Sequence, residues 1–195
     1  GVPNYFGPQR FGRDGDNLRS VTAWLERGEL PRAREARAFV YSSARSLLFN
    51  QVLAQRVRAG TWATLLPGER VNLAGRNSWF VADAIDETLL ERLARHDIHP
   101  TGPMPGRGEP PTGLVGDLEA EVLAADVALV QLLADEGVEA SRRALRVRPE
   151  ELTVALVDDG VELSFGLTSG SYATMVVREL FETATFGEGG DDAQG

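Results

Sequence analysis

At 195 residues the chain is long enough for one large domain, and its 43% hydrophobic and 25% charged content is that of an ordinary globular protein. It has no cysteine, which excludes disulfides and thiolate metal centres, and no apolar run near the ~18 residues of a membrane span. A net charge of -9 speaks against general affinity for nucleic acid, but residues 1–62 carry ten arginines against five acids and residues 63–195 ten against twenty-four.

Residues 1–16 read as loop and turn. Asn17 suits the cap of a helix whose apolar face is Leu18, Val21 and Leu25, and Gly28 ends it. Pro31 fits the first turn of a second, longer helix that reaches about Arg58, with Gly60 as its stop. Ala36, Val40, Leu47, Leu48, Ala54 and Val57 form its buried stripe. Residues 65–81 look extended, interrupted at Pro67-Gly68 and at Gly75, and 86–95 form a short helix. His96 and His99, the only histidines, lie in the run HDIH with no third ligand nearby, so they read as a polar loop and not as a metal site. Residues 101–116 hold five glycines and four prolines and read as loop. Asp117 caps a helix to about Ala134, and 138–145 form another. Runs 152–157 and 161–165, joined by Asp158-Asp159-Gly160, are a hairpin. Gly170-Ser171 then leads into a helix from Tyr172 to about Phe181. The glycine- and acid-rich tail, 187–195, is expected to be disordered. This mixture predicts an α/β (α+β) class without internal repeats.

Four blocks stand out, three of them with groups suited to chemistry. The opening run GVPNYFGPQRFG gathers three aromatics, three glycines, an Asn, a Gln and an Arg. Glycine admits close backbone approach. Aromatic faces stack on bases, and Asn, Gln and Arg hydrogen-bond their edges. The same residues could instead fill a bend at a domain edge. In AFVYSSARSLLFNQ, residues 38–51, Ser42, Arg45 and Ser46 share a helix face, while Asn50 points about 140° away from Arg45. These groups either reach RNA or tie the helix to the opening run; the tie suits Asn50 better, and Arg45 stays open. In NLAGRNSWF, residues 72–80, neighbouring Trp79 and Phe80 face opposite sides of a strand, so one belongs to the core. At 163–180, LSFGLTSGSYATMVVREL sets strand, glycine turn and helix N-terminus in succession, where free N–H groups can meet a phosphate or carbonyl. All 20 basic residues are arginine, whose planar fork grips phosphate in bidentate fashion.

These blocks resemble the signatures of the tRNA pseudouridine synthase D (TruD) family: NYFGxQRFG, SAxRSxLFN, LxGxxSWF, a PGxG loop at 105–108, and a terminal FxLPxGxFATxxxREL in which Thr168 stands where Pro is usual and Tyr172 occupies the aromatic position. The resemblance implies part of a pseudouridine synthase catalytic core carrying an inserted α/β domain. Residues 1–16 would be a core segment, 17–148 the insertion, 149–186 the return to the core as hairpin plus helix, and 187–195 the tail. It implies isomerisation of uridine 13 in tRNA to pseudouridine by a cytoplasmic monomer, with tRNA as partner and no membrane, metal or organic cofactor. It places Tyr172 on the target base, with Asn4, Phe6, Gln9, Arg10, Phe11 and Arg45 around the substrate. Gly7, Gly12, Asn50, Gly170 and a buried Arg178 would shape the site. The family's catalytic Asp belongs to a GxKDxxA segment, and an Asn and Phe beside the base to a GNxF segment; neither occurs in these residues. Asp14, Asp16, Asp158 and Asp159 lie in turns and do not substitute for it. The chain is therefore expected to be the C-terminal half of such an enzyme, inactive alone; the alternative is a non-catalytic RNA-binding module.

Overall fold

The computed structural model describes residues 1–76 and 78–181; the tail expected at 187–195 lies outside them. The chain enters through a two-residue strand, β1 (Val2–Pro3), and two 3-10 turns, Pro8–Phe11 and Arg13–Gly15. Helix α1 (Asp16–Arg27) follows, and Gly28 closes it in the left-handed conformation, φ 68°, with its N–H on the Trp24 carbonyl. Asn17 is not its cap. Gly15 holds that position, and the Asn17 amide turns back to donate to the Arg10 carbonyl at 3.3 Å.

Helix α2 (Arg34–Arg58) begins three residues later than Pro31 predicts. Residues 32–35 are exposed, so no packing supports a further turn at that end. Of the expected stripe, Val40 and Leu48 are buried, while Ala36, Leu47, Ala54 and Val57 are half-buried; Ala44, Phe49, Val52 and Leu53 complete the buried apolar face.

Strands β2 (Glu69–Leu73) and β3 (Trp79–Ala82) form an antiparallel pair around a turn at Gly75, where φ is 71°. Phe80 packs inward and Trp79 is exposed beneath the Arg70 guanidinium, 4.9 Å from its ring centre. Helix α3 (Glu87–Ala94) is capped by Asp86, which accepts from the Leu89 N–H at 2.8 Å.

The proline-rich segment departs from expectation. Strand β4 (Ile98–Met104) includes Thr101–Met104, which the sequence reading places in a loop. Its first half pairs with β2 and its second with β5 (Ser141–Ala144), so each proline needs a partner on one side only. Helix α4 (Gly113–Leu123) starts four residues before Asp117, and a 3-10 turn at Ala124–Asp126 separates it from α5 (Val127–Asp135). Residues 138–145 are not helical. Arg, Ala and Leu favour helix locally, but pairing with β4, and of β6 (Arg146–Val147) with β1, overrides that preference. The sheet order is β3-β2-β4-β5, with β1-β6 beside it.

Strands β7 (Glu150–Val157) and β8 (Gly160–Gly166) form the expected hairpin, but every residue of β7 is exposed, Leu156 at 86%. Helix α6 (Ala173–Leu180) buries Met175 and Val176. Three apolar clusters carry the fold. One joins α1, α2 and α5 through Trp24, Val40, Leu48 and Leu133. A second lies under the sheet around Val71, Leu93 and Ile98. The third joins Phe6 to Phe49, Leu53 and Leu145. No helix among the described residues is long and apolar enough to cross a membrane.

Arg56 and Glu69 form an ion pair of 3.0 Å with side chains 1% and 0% exposed. Arg56 also donates to the carbonyls of Thr61 and Thr64, and Glu69 accepts from the Thr101 N–H, so the pair pins the end of α2 to β2 and β4. Burial pushes the Glu69 carboxyl above its usual range, against the pull of Arg56. Arg56→Met, which strands that carboxylate, should lower stability by about 3–5 kcal/mol, and Arg56→Met with Glu69→Leu should recover much of the loss. Urea midpoints of the three proteins check this; equal loss in the single and double variants would sink it.

Candidate nucleic-acid interface

The opening run is built on one face of α2. Past β1, the Asn4 N–H bonds to the Leu145 carbonyl at 2.8 Å and its side-chain amide to the Ala144 carbonyl at 3.0 Å, so Asn4 is buried. Asn50 meets the Phe6 backbone twice: its carbonyl accepts from the Phe6 N–H at 2.9 Å and its amide donates to the Phe6 oxygen at 3.0 Å. Arg10 donates to Ser46 at 3.1 Å and to Ser42, while Ser43 donates to the Arg10 carbonyl at 3.3 Å. Ser42, Ser46 and Asn50 stand at i, i+4 and i+8, a single stripe that anchors this backbone. Gln9 reaches Thr174 on α6 at 3.2 Å, and Phe11 packs on the Phe6 cluster. Gly12, at φ 84°, sits tightly against Asn17.

Arg45 leaves this stripe. Its guanidinium donates to the carbonyls of Met104 and Glu139 and to Ser141, at 3.0, 3.2 and 2.6 Å, bracing the β4–β5 end.

Arg143 is the residue the sequence reading misses. Successive side chains on β5 point to opposite faces. Arg142 turns into the helical side, where it grips Glu119 through two bonds of 2.8 and 2.7 Å. Arg143 turns the other way. It donates to the Asn4 side chain at 2.7 Å and to the Gly170 carbonyl at 2.9 Å, and its guanidinium stacks 4.1 Å from the Phe6 ring centre. It pairs with no carboxylate among the described residues. Burial lowers its pKa to about 10, so it remains a cation at neutral pH. Phe6 in turn meets Tyr172 edge-on, with centroids 5.9 Å apart. Gly7 makes that approach possible: a Cβ there would sit 3.1 Å from the Tyr172 ring and 2.6 Å from the Gln9 side chain. Gly170, at φ 83°, turns the chain into α6. Arg178 is exposed, not buried as expected, because α6 buries little beyond Met175 and Val176 among the described residues.

A groove of about 860 Å³ runs from this cluster along β5, β6 and the end of α3. Arg76, Arg95, Arg143, Arg146 and Arg148 line it against Glu150 and Glu151; Arg142 borders it only beside Arg143, its guanidinium held by Glu119 on the other face, and no Asp among the described residues lines it. His96 and His99 also line it; His96 lies in the turn between α3 and β4, as expected of a loop residue, whereas His99 lies on β4. Arg146 donates to His99 Nδ1 at 3.0 Å and to the carbonyls of Leu93 and Ile98. That contact fixes His99 as a neutral ring with its proton on Nε2. Burial, and then Arg146, lower its pKa to about 4. No group of three or more His, Cys, Asp or Glu among the described residues could hold a metal ion.

Residues 33–180 match the family model described as tRNA pseudouridine synthase D (TruD). The chain is 45% identical over 186 residues to the tRNA pseudouridine synthase D of Nitrosococcus oceani, and 45% over 184 to that of Chromohalobacter salexigens. It is 43% identical over 183 residues to the Proteus mirabilis protein of the same name. These matches take in 92–94% of this chain but only 52–53% of the relatives, so the chain spans about half the length of the curated relatives it matches. A crystal structure from Methanosarcina mazei, described as a candidate tRNA pseudouridine synthase D, superposes with a TM-score of 0.63 at 19% identity. It covers 94% of this chain and 61% of that one, and establishes likeness of fold.

The groove's wall has a pH signature. Between pH 6.5 and about 4 the unfolded chain protonates His99 while the folded chain does not. Stability should therefore fall as pH drops through that window. His99→Asn should flatten the fall, as measured by urea midpoints at pH 7 and 5; an unchanged slope would refute the assignment.

Proposed function

The chain belongs to the tRNA pseudouridine synthase D family, and we propose that it forms the substrate-binding half of an enzyme that isomerises a uridine of tRNA to pseudouridine. The observation that carries this is the cluster beside the groove in which Phe6, edge-on to Tyr172, packs under Arg143, a cation with no carboxylate partner among the described residues. A target uracil leaves the RNA stack, a step costing a few kcal/mol, and finds an aromatic face in Tyr172. The flanking backbone lies among the groove's arginines, where each neutralised phosphate releases counterions.

In the reaction the N1–C1′ bond of uridine breaks, the uracil turns, and C5 bonds to C1′ as the C5 proton leaves and N1 gains one. Atoms balance without an oxidant, a metal or an organic cofactor. What this chain's residues do is bind and orient. The carboxylate nucleophile belongs, by the family resemblance, to a GxKDxxA segment, and the groove here is lined by no Asp.

In this reading residues 1–16 and 149–186 are catalytic core and 17–148 an insertion, a division supported by the pairing of β1 with β6 where the excursion returns. Phe6, Arg143 and Tyr172 then face substrate, and Asn4, Gly7, Gly170 and Asn50 shape the backbone that holds them. Gln9, Arg10 and Phe11 support this edge, and Arg45 braces the insertion. A monomer working on tRNA in the cytoplasm fits the reading.

Three measurements test it. The 195-residue chain should bind unmodified tRNA transcript, with affinity falling about ten-fold or more between roughly 50 and 200 mM salt. It should form no pseudouridine alone. Binding that ignores salt, or turnover by this chain, refutes the reading. In the longer protein carrying the Asp segment, Tyr172→Ala should slow single turnover about ten- to a hundred-fold, the worth of one stack. Tyr172→Phe should leave the rate nearly unchanged, because the ring does the stacking. A preserved rate in Tyr172→Ala would remove Tyr172 from the base.

A further inference from the structure

His96 occupies a position the fold would give to glycine. It follows the last turn of α3, and its φ is 63°. Its N–H bonds to the Leu93 carbonyl at 3.1 Å, and the next N–H, of Asp97, returns to the Arg92 carbonyl at 2.9 Å. Those two bonds define a helix-ending motif whose central residue is left-handed, where a side chain is strained and Gly is not. The imidazole earns nothing back from hydrogen bonding, since its Nδ1 is buried with no partner among the described residues. Burial, with Arg146 and Arg148 nearby, lowers its pKa. Backbone and buried nitrogen alike are therefore indifferent or hostile to histidine here. The remaining surface of the ring lines the groove.

That wall is otherwise basic. The β2–β3 turn is tied directly beside His96, through the Ala74 N–H on the Asp97 carbonyl at 3.0 Å, and it presents Arg76. Arg148 lies just past β6, with Glu150 and Glu151 following it. Arg76 and Arg148 make no ion pair among the described residues, whereas Arg95 is engaged by Glu91 and Asp97.

We infer that His96 is a nucleotide-contacting residue, its ring meeting a ribonucleotide seated on the α3 wall of the groove while Arg76 and Arg148 take the adjoining phosphates. The inference rests on the groove being the tRNA site. An imidazole face stacks on any base and its open edge can bond a 2′-hydroxyl, so the contact is with RNA as a class and needs no particular sequence. His96 lines the groove from the turn after α3 and Phe6 lines it from the opening run, so the contact is with the strand flanking the reacting uridine.

The strain supplies a clean test. His96→Gly removes the ring and relieves the backbone, and His96→Asn removes the ring but keeps a side chain that tolerates this conformation. Both are titrated against unmodified tRNA transcript by fluorescence anisotropy across a salt series, with melting temperatures in parallel. Both should bind about five- to ten-fold more weakly than the unaltered chain, with an unchanged salt slope because no cation is lost. His96→Gly should melt at the same temperature or higher. Arg148→Ala should weaken binding and reduce the slope by nearly one phosphate contact. Unaltered affinity in His96→Gly would overturn the inference while leaving the groove intact as the tRNA site. A lower melting temperature in His96→Gly would overturn it too, by showing that the fold needs the ring. Failure of the unaltered chain to bind tRNA would overturn the reading of the groove and this inference together.

Discussion

The guanidinium of Arg143 is the contact on which the rest of the candidate site depends. It reaches Asn4 and Phe6 in the opening run and Gly170 ahead of α6, segments separated by 139 and 27 residues from its own position. A neutral side chain of the same length could not replace it. Five donors in a rigid plane satisfy three acceptors while the flat face covers Phe6. The desolvation of that charge is partly offset by the aromatic face and by carbonyl dipoles rather than by an acid. The positive potential is therefore left for whatever enters the groove.

Helix α2 organises the surroundings by dividing its polar residues between two directions. Ser42, Ser46 and Asn50 hold the opening run from one side. Arg45 reaches around to the far end of β5. At its C-terminal end Arg56 enters the sheet and meets Glu69. The apolar residues between them, Phe49 and Leu53, pack on Phe6 and Leu145. The placement of Phe6, and through it Tyr172, is thus fixed by a helix and a strand and not by loop packing alone.

What could be read from the sequence followed from how far each signal reaches along the chain. Gly28, Asp86 and the Asp158-Asp159-Gly160 turn act within a few residues, and the elements they bound appear where periodicity places them. Thr101–Met104 and Ser141–Ala144 pair across roughly forty positions, and neither run alternates in a way that announces a strand. Reading 138–145 as helix also hid the opposed directions of Arg142 and Arg143, since that opposition exists only in an extended backbone. The opening run displayed its aromatics and amides openly, but Asn4 and Asn50 turned out to spend theirs on backbone groups. Composition cannot distinguish an amide that binds a ligand from one that binds the chain.

The pairing of Val2 with Val147 has a kinetic side. Bringing those residues together from an open coil closes a loop whose entropy costs about 4 kcal/mol by the logarithmic law. Contacts of such long separation form late and slowly in a chain that must find them unaided. The intervening residues contain two apolar clusters that need nothing from either end, one among α1, α2 and α5 and one beneath the sheet. Once these condense, β5 and β6 lie beside the middle of α2, and the search left to the first six residues becomes short. The aromatic cluster around Phe6 is therefore expected to take its shape late on folding and to lose it early on unfolding.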